Sequence, residues 1–87
     1  MVELLKVRTK SNPNAVAGAI ANILKTQNKL KVQAIGAGSI NQAVKSLAIA
    51  RGFLVLSGHD LTCVPVFSEV KIDDESKTAI CFHTSLI

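Results

Sequence analysis

The residues most able to do chemistry lie in "QAIGAGSINQAVKSLAIARG", residues 33 to 52, where Gly36-Ala37-Gly38-Ser39 separates an apolar run from a helix-like one. Strand, glycine loop, helix is the order in which exposed backbone N–H groups and a positive helix end accept a phosphate. A dinucleotide fingerprint would place a third glycine where Asn41 stands, with an acidic residue about 20 positions on at the end of another strand. Neither is present, and no Gly-Lys-Ser/Thr occurs. A nucleotide-dependent enzyme is therefore not expected. Ser39 and Gln42 instead have the Ser-x-x-Gln spacing of a capping box, which predicts a tight turn whose side chains satisfy two helix N–H groups.

The other reactive side chains are sparse. Cys63 and Cys81, with His59 and His83, lack Cys-x-x-Cys or any close metal-ligand spacing. A hairpin turning over Asp73-Asp74-Glu75-Ser76 pairs Ile72 with Lys77 and sets Cys81 opposite Ser68. That register holds the cysteines too far apart for a disulfide. Free thiols in a reducing cytoplasm follow. Asp73, Asp74 and Glu75 form a carboxylate cluster, but at a turn tip they read as a solvated hairpin end. No paired acid and base, nucleophile pair or ligand set remains, so no catalysis, cofactor, metal or small-molecule substrate is expected.

The elements that position these residues follow from periodicity. "ELLKVRTK" reads as a strand with Leu5 and Val7 on one face and Lys6, Arg8 and Lys10 on the other. "SNPNAVAGAIANILKTQN" reads as a helix capped by Asn12, with Pro13 at its first position and a core stripe of Val16, Ile20, Ile23 and Leu24. "KLKVQAIG" is a second strand with Leu30, Val32 and Ala34 inward. A second helix runs from about Ile40 to Arg51 and stops at Gly52. Its inward stripe is Ile40, Val44 and Leu47, while Ile49 projects outward among Gln42, Lys45 and Ser46. "DLTCVPVFSEVKI" and "KTAICFHTSLI" make an antiparallel pair, with Pro65 marking an edge strand. The order βαβαββ predicts an α/β (α+β) two-layer sandwich, a four-stranded mixed sheet with two helices on one face. The 87 residues make a single domain, and no apolar run approaches the roughly 20 residues of a membrane span. The start of the chain, with four charges in "MVELLKVRTK", does not read as a signal peptide.

In a right-handed βαβ unit the loop "TKSNPN" and the glycine loop share one end of the sheet. Lys10, Ser11, Asn12, Asn14, Gly38, Ser39, Asn41 and Gln42 then form a polar rim, bordered by Arg8, Gly36 and Lys45. Such a rim suits a sugar-phosphate backbone. Charge distribution supports a polyanionic partner: residues 1–59 carry net +7 and residues 60–87 carry −3. No helix shows an Arg/Asn/Gln pattern for groove readout, and three Phe are the only aromatics, so little sequence preference is expected.

"KSNPNAVAGAIANIL", "VQAIGAGSINQAVKSLAIARGFL" and "DLTCVPVFSEVKIDDESKTAI" together resemble the stage V sporulation protein S family over nearly the whole chain. The most distinctive segment is A-I-G-A-G-x-x-N-Q-A-V-K. That family resembles in turn the Alba group of small chromatin and RNA-binding proteins. The resemblance implies an Alba-like fold and a dimeric nucleic-acid binder, with Lys10 and Asn14 in a first-loop site and Gly36 to Gln42 in a second. The chain departs from the Alba pattern by placing Ile35 and Ala37 where basic residues tend to stand, and Asp73-Asp74-Glu75 at a hairpin tip that phosphates would repel. The expectation is a sporulation-associated regulatory protein that binds DNA or RNA through its rim and forms a homo-dimer or higher homo-oligomer. A protein-interaction module that never touches nucleic acid is the competing expectation.

Overall fold

Asn12 begins the first helix for a local reason: its Oδ1 accepts from the N–H groups of Asn14 (2.9 Å) and Ala15 (3.2 Å), and Pro13 follows where no N–H is needed. In the computed structural model, which describes residues 2–87, six elements follow one another. They are β1 (Glu3–Val7), α1 (Pro13–Gln27), β2 (Lys29–Ala34), α2 (Ala37–Val55), β3 (Leu61–Ile72) and β4 (Glu75–Leu86). The sheet order is β1-β2-β4-β3, with β1 parallel to β2 and the other neighbours antiparallel. The βαβαββ order and mixed sheet read from the sequence are therefore present.

The core is built from alternation in the strands meeting helical stripes. Leu30, Val32 and Ala34 of β2 are buried beside Val7 and Phe82. Ala17, Ile20, Ala21 and Leu24 of α1 complete the same cluster with Ala43, Leu47, Ala50 and Leu54 of α2, so both helices cover one sheet face. Each fully buried Leu or Ile contributes about 1.5–3 kcal/mol. Strand β3 is an edge strand, as Pro65 requires.

Helix α2 differs from the sequence expectation in both phase and length. It starts at Ala37 and continues through Gly52 to Val55. Gly52 has open space around it and is simply an exposed helical position. The inward stripe is Ser39, Ala43, Ser46, Leu47, Ala50 and Leu54. Turning Ser39, Ala43, Ser46 and Ala50 inward lets α2 lie against α1 and rotates Val44 outward, where it is 50% exposed. Ile49, expected outside, packs partly buried against the core. Burial of Ser46 is tolerated because its hydroxyl donates to the Gln42 carbonyl at 2.7 Å. Beyond the helix, Asp60 accepts from Arg51 Nε (2.8 Å) and Nη2 (3.1 Å) and from the Leu61 N–H (2.8 Å), fixing the entry to β3.

The hairpin is tighter than expected. Ile72 pairs with Glu75, leaving only Asp73 (φ 51°) and Asp74 (φ 63°) in the turn. A two-residue turn with both φ positive matches the right-handed twist of its strands, and it extends the ladder toward the tip. Cys81 accordingly faces Val66 rather than Ser68, and Cys63 faces Thr84. Both thiols are free.

Candidate functional site

The loop between β1 and α1 and the start of α2 are tied together by three contacts. Thr9 Oγ1 and Ser39 Oγ share a hydrogen bond at 3.3 Å. The Gln42 side-chain amide donates to the main-chain carbonyl of Ser11 at 2.9 Å. Gly38 allows the two segments to approach, because a Cβ there would stand 2.9 Å from Thr9 Cγ2. Within the first loop, Ser11 Oγ also accepts from the Arg8 N–H at 2.8 Å.

These contacts replace the expected capping box. The N-cap of α2 is Gly36, at φ 86° and ψ 156°, and no side chain caps the helix. Glycine is needed at this backbone conformation because a Cβ would be strained there. Ser39 lies three residues inside the cap and turns to Thr9, while Gln42 turns to Ser11. Both side chains satisfy long-range partners in preference to local N–H groups, since their helix faces the first loop.

The structure therefore sorts the expected rim residues into two groups. Ser39 is 6% exposed, and Ser11, Asn12 and Gln42 use side-chain or main-chain atoms to hold the loops. Arg8, Lys10, Asn14, Gly36, Gly38, Asn41 and Lys45 are exposed. What the arrangement can do chemically is present backbone N–H groups at the uncapped first turn of α2, with Lys6 and Arg8 around the same hollow as Ser39. It offers hydrogen-bond donors and positive charge, and no nucleophile with a base. Burial pushes both thiols up from their ordinary pKa, with Lys31 partly offsetting this at Cys81, so neither is a thiolate at neutral pH. Among the described residues, no three His, Cys, Asp or Glu side chains converge.

Three features escaped the sequence reading. Thr9 is the partner of both Gly38 and Ser39 and had no signal beyond its place in the "TKSN" run. Lys29 and Lys31, alternating with buried Leu30 and Val32, stand with Lys6 on the sheet face away from the helices; their alternation was a usable signal. Lys71 and Lys77 put two cations on the stem of the hairpin, beside Glu69 and Glu75 and behind its acidic tip.

No helix is long and apolar enough to cross a membrane among the described residues. Residues 3–86 match the family model described as Stage V sporulation protein S (SpoVS). With a match over nearly its full length, the chain belongs to the stage V sporulation protein S family and is a sporulation-related protein.

Proposed function

We propose that the chain is a non-catalytic regulatory protein that binds nucleic acid, DNA or RNA, with little sequence preference through the rim of the two joined loops. The observation that carries this reading is the clamp of Thr9, Ser11, Gly38, Ser39 and Gln42. It leaves Lys10 and Asn14 exposed on one segment and Asn41 and Lys45 on the other, the two held in fixed relation, with the first turn of α2 uncapped. Rigid placement of cations and N–H donors suits phosphate contacts, which position a backbone without reading bases. A cytoplasmic setting agrees with two unpaired cysteines.

The test is a gel-shift series with duplex DNA, single-stranded DNA and RNA across salt concentrations. Binding should be strongest near 50 mM salt and fall linearly on a log–log plot. Absence of any shift there would end this reading. A second reading, an oligomeric protein-interaction module, is favoured by one observation: Phe67 is 77% exposed on edge strand β3, and Leu56 is 87% exposed after α2. Homo-oligomerisation through such surfaces is compatible with both readings.

A further inference from the structure

A hollow of about 450 Å³ lies where the C-terminal ends of β1 and β2 meet the stem of the β3–β4 hairpin. Lys6, Arg8, Lys71 and Lys77 all line it, brought together from β1, the residue after it, β3 and β4. No carboxylate is among the lining residues. Lys77 reaches Glu75 at 3.4 Å, while Lys6, Arg8 and Lys71 have no ion-pair partner among the described residues. The three unpaired cations around one concavity repel one another, and a bound anion relieves that repulsion.

The rest of the wall is not that of a plain anion site. Ile35, Val70 and Ile72 supply apolar surface, and the Gln33 amide adds both a donor and an acceptor. The volume falls in the range of about 300–1,000 Å³ typical of small-ligand sites. We propose that this hollow binds a phosphate group carrying a flat, partly apolar moiety, the chemistry of a nucleotide. The cations hold the phosphate, Arg8 in the bidentate manner its guanidinium allows. The apolar strip takes the ring, and Gln33 meets its polar edge. A free nucleotide and a nucleotide within a nucleic-acid strand share this chemistry. The hollow shares Arg8 and Ser39 with the rim, but the proposal does not rest on nucleic-acid binding there, since Lys10, Asn14, Asn41 and Lys45 do not line it.

Amide-resolved NMR titration of the full chain tests it with four probes: 5′-AMP, inorganic phosphate, adenosine, and a short single-stranded DNA oligomer. The expected result is saturable binding of 5′-AMP with shifts at Gln33, Val70 and Lys71, and weaker effects from phosphate or adenosine alone. Lys71→Gln, shown folded by its own amide spectrum, should weaken 5′-AMP about tenfold, the size of one lost charge-assisted hydrogen bond. Lys25→Gln removes equal charge from an exposed position on α1 and should leave binding unchanged. If only the oligomer shifts the hollow, the nucleotide is recognised within a strand, which also supports the site. The proposal is overturned if neither 5′-AMP nor the oligomer moves these amides, or if Lys25→Gln weakens binding as much as Lys71→Gln.

Discussion

Thr9 and Gly38, 29 positions apart, touch so closely that an added Cβ on the glycine would meet Thr9 Cγ2 at 2.9 Å and Oγ1 at 3.1 Å. This contact sets the spacing between the two loops of the rim. Gly38→Ala should therefore destabilise the protein by about 1–2 kcal/mol despite the better helix propensity of alanine, because a packed neighbour must move. Thr9→Ser removes the closer atom and keeps the hydroxyl for Ser39. Urea denaturation of the single and double variants should show that Thr9→Ser restores part of the loss. Purely additive effects would mean that the approach is not what glycine is needed for.

If the rim binds phosphates, Lys10→Glu should weaken binding to all sequences alike. Each lost phosphate contact reduces the slope of log affinity against log salt by about one unit. Fluorescence anisotropy over a salt series measures that slope. Unchanged affinity in Lys10→Glu would move the function to the interaction-module reading.

The hairpin tip holds two non-glycine residues, Asp73 and Asp74, at positive φ. Left-handed backbone costs an ordinary residue about 1–2 kcal/mol, while Asn-Gly is the favoured pair for this turn. Asp73→Asn with Asp74→Gly should thus raise stability by about 1 kcal/mol in chemical denaturation. The same change removes negative charge near Lys71 and Lys77, so nucleic-acid binding should stay the same or improve. A loss of affinity would show that the acidic tip itself makes a contact.

Asp60 accepts from Arg51 and from the Leu61 N–H, and these hydrogen bonds hold its carboxyl below the ordinary range. The Arg51 guanidinium is raised in turn, chiefly by its hydrogen bond to Asp60. A depressed carboxylate stabilises the fold fully above its unfolded pKa of about 3.9, and that stabilisation is lost as pH falls through the folded value. Asp60→Asn should lower Tm at neutral pH, with the gap to wild type closing in acid. A gap that is constant with pH would place the effect in packing instead of charge.

Exposed Phe67 and Leu56 predict self-association. Sedimentation equilibrium should give at least twice the 9.2 kDa chain mass at high micromolar concentration. Phe67→Asp should shift the population toward monomer. A wild-type particle of one chain mass would remove this idea.

Where the determinants are local, the sequence was a sufficient guide. Asn12 and Pro13 start α1, alternation about Leu30 and Val32 turns β2 to the core, and Pro65 belongs to an edge; each acts within a few residues. The family motif around Gly36 is equally local, and Gly36 indeed occupies a backbone region few other residues tolerate. The phase of α2 was not legible in this way, because apolar periodicity favoured Val44 while the packed helix buries Ser39 and Ser46. Those serines are inward because the close approach of α1 and the partners Thr9 and the Gln42 carbonyl make small polar residues the better fit. Ser39 and Gln42 looked like a local cap, but loops some 30 residues apart in sequence supplied competing partners. The gathering of Lys6, Arg8, Lys71 and Lys77 was likewise decided by the tertiary structure alone. Charge spacing along a chain does not reveal which strand ends a hairpin stem will meet; the sheet order β1-β2-β4-β3 and the Ile72–Glu75 register determine that.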